Sequence, residues 1–119
     1  MNQQELHVRD NRNDSCYEAI VDDQVVGMVV YKRDGNRLVI RHTMVEPGLR
    51  GDGVGTNMVR AVLDDVRERG EKLTNYCGFV ADFLSDHADY QDLVDTDRPG
   101  VTLPRDKRGK GSPTPAIYQ

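Results

Sequence analysis

Arg50-Gly51-Asp52-Gly53-Val54-Gly55-Thr56 places three glycines in five residues, between an extended apolar run and an amphipathic segment. Glycines weaken a helix start unless something must approach the backbone closely. A helix start presents unpaired N–H groups and a partial positive charge, and Arg50 adds a fixed cation. Residue types in this order suit a pyrophosphate. Three other side chains could do chemistry. Cys77 lies between an extended run and a short helical stripe; a helix N-terminus beside it would favour the thiolate. The alternative for Cys77 is a small buried hydrophobe. His42 alternates with Leu38, Ile40 and Met44, as a core histidine would, although imidazole is also the common general base. Glu46, at the end of the same run, is the rival base or a solvent-facing acid before a turn.

These residues need elements to position them. Leu6–Val8, Tyr17–Val21, Gln24–Arg33 and Arg37–Val45 read as strands, with tight turns at Asp22-Asp23 and Asp34-Gly35. The third strand is apolar at both alternating sets and is expected to be central, with both faces covered. In the fourth, Leu38, Ile40, His42 and Met44 fall on one face; Val39, Arg41, Thr43 and Val45 fall on the other. A helix is expected over Val54–Arg69, with Met58, Val59, Val62, Leu63 and Val66 facing the sheet and Gly70 at its exit. Lys72–Cys77 is a fifth strand, reached by a helical crossover and so parallel to the fourth. Phe79, Val80, Phe83 and Leu84 form a second helical stripe, and residues 87–94 add a helical turn or two.

The chain has 119 residues, enough for one domain. Periodicity fails after residue 94, so residues 1–94 are read as the folded domain and 95–119 as a disordered tail. Two cysteines, Cys16 and Cys77, are too few for a disulfide framework or a zinc site, so no metal is expected. With no apolar run near the ~18 residues of a membrane span, and a polar start unlike a secretory signal, a cytoplasmic location is expected, without membrane association. The net charge of -4 combines an acidic body with a basic stretch at Arg105, Lys107, Arg108 and Lys110. An acidic body argues against a nucleic-acid face and suits an amine-bearing substrate.

The glycine motif excludes several nucleotide loops. A Walker loop needs Gly-Lys-Ser/Thr at its end, and Gly55 is followed by Thr56. The G-x-G-x-x-G fingerprint has Thr56 where its third glycine belongs, and follows an antiparallel hairpin with too little chain for a doubly wound sheet. What remains, Arg50-x-x-Gly53-x-Gly55 between a fourth strand and the main helix, resembles the acyl-CoA loop of GNAT-type N-acetyltransferases. The run Arg37-Leu38-Val39-Ile40-Arg41-His42-Thr43, then Leu49-Arg50-Gly51, then Tyr76-Cys77-Gly78-Phe79-Val80-x-x-Phe83-Leu84-x-x-His87, is similar to the short single-domain YjdJ-like group of that superfamily. The resemblance covers about residues 5–94. Asn75 and Ala88 stand where that group commonly has prolines.

The resemblance implies an α/β (α+β) fold, with a mixed, mostly antiparallel sheet and a crossover helix after the fourth strand. It implies acetyl transfer from acetyl-CoA to a primary amine, on a small molecule or a peptide lysine. The fourth strand would carry a bulge two or three residues past His42 and part from the fifth, and the pantetheine would lie in the slot so opened, beside Met44 and Val45. Arg50, Gly51, Asp52, Gly53, Val54, Gly55 and Thr56 would surround the pyrophosphate. Cys77, His42 and Glu46 are the candidate catalytic groups, and Tyr76 and Tyr90 candidate acids for the departing thiolate. Direct attack is the default and an acyl-Cys77 relay the minority route. A non-catalytic CoA-binding or thiol-sensing module using Cys77 is the alternative, and a protein-interaction domain using the basic stretch ranks last. Acceptor and oligomeric state stay open.

Overall fold

The computed structural model describes residues 5–49, 53–101 and the backbone of 117–118. Five strands run in the order β1 (His7–Asn11), β2 (Cys16–Val21), β3 (Gln24–Asp34), β4 (Arg37–Val45) and β5 (Lys72–Asn75). The first four are antiparallel, and β5 is parallel to β4. Helix α1 (Val54–Arg69) makes the crossover, and α2 (Gly78–Asp86) and a 3₁₀ helix over Ala88–Leu93 follow β5. This is the α+β architecture expected from the sequence.

The turns follow from backbone chemistry. Asp22 and Asp23 both take positive φ, as a two-residue hairpin of the right twist requires. The next hairpin pairs Asp34 with Arg37, so its turn is Gly35-Asn36, one residue later than the Asp-Gly reading. Gly53 and Gly70, both left-handed, bracket α1. Its stripe of Met58, Val59, Val62, Leu63 and Val66 is fully buried against the sheet, together with Val29, Leu38, Ile40 and Leu73.

Two expectations are corrected. A bulge between Val30/His42 and Tyr31/Ile40 inserts Arg41 as an extra residue in β4. Side chains alternate with period two, so one inserted residue exchanges the faces beyond it. Thr43 and Val45 therefore join Leu38 and Ile40 on the buried face, and His42 and Met44 turn to the other. That second face is only partly covered: Val26, Met28, Val30, His42 and Met44 are half-buried, and Val25 is exposed. β3 is central in the sheet, but α1 covers it on one face.

Structure also continues past residue 94. The amides of Asp95 and Val101 donate to the carbonyls of Leu73 and Asn75, and the Asn75 amide donates to Pro99, so 94–101 runs along the outer edge of β5. An Arg37–Asp95 ion pair at 2.6 Å ties the segment to β4. The rest of the expected tail, 102–116 and 119, lies outside the described residues. Two further residues, β6 (Ile117–Tyr118), pair antiparallel with β4.

Candidate active site

β4 and β5 part company. Their ladder runs from Arg37/Lys72 to Ile40/Asn75 and ends with the Tyr76 amide donating to the Ile40 carbonyl at 2.9 Å. Beyond the Arg41 bulge, β5 turns into α2, and the edge of β4 over Thr43–Met44 pairs with residues 117–118. A bulge bends its strand and raises the local twist, which is the physical reason for a parting here.

Cys77 sits at that fork, fully buried, as the residue that caps α2. Asn75 holds it there: its side-chain amide donates to the Cys77 carbonyl and accepts from the Cys77 N–H, both at 2.9 Å. The Cys77 thiol donates to the Thr43 hydroxyl at 3.4 Å. Thr43, also fully buried, thus presents a polar atom to the thiol from across the fork. The sequence reading puts Thr43 on the face away from Leu38 and Ile40; with the bulge at Arg41, before His42 rather than after it, Thr43 falls on the buried face.

His42 lies on the other side of β4. The paired rows across the open face read Asn11–Cys16–Val30–His42 and Arg9–Glu18–Met28–Met44. Glu46 follows the strand, exposed, with its amide donating to Val26 at 2.8 Å. It borders a groove of about 380 Å³ lined by Val26, Met28, Met44 and Pro47. His42 and Glu46 are separated by roughly 13 Å of extended chain. The strand therefore stands between Cys77 on the helix side and His42 on the open side, and the three candidates do not form a single cluster.

Of the glycine loop, Gly53 to Thr56 are described, and Arg50, Gly51 and Asp52 lie outside the described residues. Gly53 caps α1 at φ 83° with no side-chain bond to the helix start, and no acid occupies the first turn. Among the described residues no side chain caps the first N–H groups of α1, which fits a phosphate-bearing ligand. Gly55 has a different task. A Cβ there would lie 3.0 Å from Phe79 Cζ and 3.4 Å from Val45 Cγ2, so its small size lets α1, β4 and α2 converge. Val54 is buried and Thr56 half-buried on the same turn.

The remaining polar and thiol side chains have the following surroundings. The Tyr90 hydroxyl donates to Asp64 at 2.7 Å, and this bond, then burial, raises its pKa. Tyr76 is exposed. His87 caps α2, bonding the Phe83 carbonyl through Nδ1 at 2.7 Å and stacking on the Phe83 ring at 3.9 Å. Cys16 is buried in β2, where burial and then the Glu18 carboxylate push its thiol up. Neither cysteine is in a disulfide. Among the described residues, no cluster of His, Cys, Asp and Glu could hold a metal, and no helix is long and apolar enough to cross a membrane.

A polar cluster that the sequence did not reveal lies at the opposite end of α1. The Arg33 guanidinium donates to Glu71 at 2.9 Å, Asp10 at 3.1 Å and the Tyr17 hydroxyl at 2.9 Å. Tyr17 donates to Asp65 and Tyr31 to Asp10, each at 2.5 Å. Burial, then the Asp10 bond, pushes Tyr31 up to about 12, and burial with Asp65 raises Tyr17 further. Burial alone would raise Asp65, but Tyr17 and Arg69 outweigh it and hold the carboxyl below its usual range. These groups satisfy one another and tie β1, β2, β3 and the turn at Glu71 to α1.

A strand-four bulge, a fork between parallel strands and a helix start beyond it are consistent with a GNAT-type fold. The chain belongs to the GCN5-related N-acetyltransferase family, whose model matches residues 16–93. Membership carries a general acyltransferase role. A search of curated proteins returned no match.

Proposed function

We propose that this protein transfers an acetyl group from acetyl-CoA to a primary amine. The observation that carries the reading is the fork: the β4 edge at Thr43–Met44 leaves β5 just where α1 begins beyond it. In this reading Met44 and Val45 offer backbone groups to the pantetheine. The N–H groups of Gly53 to Thr56, with Gly51, Asp52 and the Arg50 cation before them, hold the pyrophosphate. The cofactor supplies an acetyl thioester.

The acceptor approaches from the open face, where the groove bordered by Glu46 meets Met44. An attacking amine must lose its proton, and His42 and Glu46 are the two groups on that side able to take it. His42 is favoured, because it is half-buried in mid-strand whereas Glu46 is exposed beyond the strand end. Cys77 lies on the helix side, away from His42, so the acceptor attacks directly. The role left to Cys77 is toward the departing sulfur, not as an acyl carrier. The same position also favours a second reading, a CoA-binding module in which the Cys77 thiolate attacks a CoA disulfide, forming a Cys77–CoA mixed disulfide and releasing one CoA thiol; it predicts binding without turnover of any amine.

Thermal unfolding with acetyl-CoA tests the cofactor. At 100 times its Kd the ligand adds about 2.7 kcal/mol, a shift on the order of 10 °C for this size. The expected result is a saturable shift that falls in Arg50→Ala. No shift at millimolar acetyl-CoA would end the acetyltransferase reading.

A further inference from the structure

The β4 edge that β5 abandons already has an occupant. Thr43 pairs with Tyr118 and Met44 with Ile117, antiparallel, so the chain itself supplies a strand there. One edge of a strand carries a single row of N–H and C=O groups, which can be satisfied by only one backbone-like partner at a time. We propose that residues 117–118 compete with the acyl carrier for this edge, so that the cofactor binds only after they leave it. The inference rests on the reading that acetyl-CoA uses Met44 and Val45.

The pairing is built to be displaced. Among the described residues it covers two, against four in the β4–β5 ladder and eight in the β3–β4 ladder. A strand that short has little stability of its own. Its tether of residues 102–116 makes the contact intramolecular and supplies a high effective concentration that a free dipeptide would lack. The apparent cofactor affinity is then the intrinsic affinity multiplied by the fraction of molecules whose edge is open. The device gives the site a threshold.

The test is acetyl-CoA titration by calorimetry of the full chain and its Ile117→Pro/Tyr118→Pro variant. Proline has no N–H to give the ladder, and both positions lie far along the chain from the helix–sheet core. A second variant, ending after Ala116, removes the strand altogether. Competition predicts that both variants bind about three- to tenfold more tightly than the parent, the worth of one or two net hydrogen bonds. It also predicts that amide exchange at Thr43 and Met44 quickens in the unliganded variants. Equal affinity in parent and variants overturns the competition while leaving the cofactor reading intact. Weaker binding by the variants overturns it too, because the segment would then be part of the cofactor site. No binding by any of the three removes the cofactor reading and the competition with it.

Discussion

The two ends of α1 use polar chemistry in opposite ways. At its C-terminal end, Arg33, Glu71, Asp10, Tyr17, Tyr31, Asp65 and Arg69 satisfy one another in a half-buried network. At its N-terminal end, no described side chain caps the helix start, β4 has left β5, and His42 and Cys77 lie on opposite sides of the strand between them. Closed networks rigidify and open groups bind. One end therefore holds the sheet to the helix so that the other can stay apart.

Arg33→Met should break the closed end most severely. It leaves the half-buried Glu71 without its cation and Asp10 with only Arg12 and Arg69 beside it among the described residues, at a cost of about 3 kcal/mol and about 10–15 °C in Tm by calorimetry. The acetyl-CoA-induced shift of the folded variant should persist; its loss would mean that the two ends are not separable.

His42→Gln sharpens the open end. kcat/KM should fall about 100-fold, the worth of a positioned base, and the acidic limb of its pH profile should vanish while acetyl-CoA affinity holds. Glu46→Gln should keep that limb. Cys77→Ala should cost less than His42→Gln. A larger loss in Cys77→Ala would restore the acyl-cysteine route.

Gly55→Ala asks whether the open end tolerates a single methyl. Overpacking against Phe79 should cost about 1–2 kcal/mol. Phe79→Leu in the same chain should recover part of it, whereas an unchanged Tm in Gly55→Ala would remove the close-packing argument.

The smallest effect is alkaline. Tyr31 is held neutral up to about 12, against about 10 in an unfolded chain. A raised pKa contributes stability below the unfolded value and loses it as pH rises through the folded value. Denaturant midpoints should decline between about pH 10 and 12, less steeply in Tyr31→Phe. An equal slope in that variant would shift the effect onto Tyr17.

How much of this could be read from the chain depends on whether the signal was local. The bounds of α1 were legible, since Gly53 and Gly70 mark left-handed caps around an unbroken apolar stripe. The fork was legible only through family resemblance. The bulge at Arg41 carries no glycine or proline to betray it, so a period-two reading of β4 put His42 with the core and Thr43 outside it. The Arg33 network was invisible because each member, taken alone, resembles a solvated charge; only the fold brings Asp10 and Glu71 to the same guanidinium. Residues 95–101 lack an apolar period because they hold β5 by backbone bonds, and Gly100 is needed where a side chain would strike the Asn75 backbone.

Amide hydrogen exchange with and without acetyl-CoA tests the central claim most directly. The account predicts new protection at Met44, Val45 and Gly53 to Thr56, with no change in the strands and helix turn around Arg33. Protection confined to the Arg33 end, or none at saturating acetyl-CoA, would contradict it.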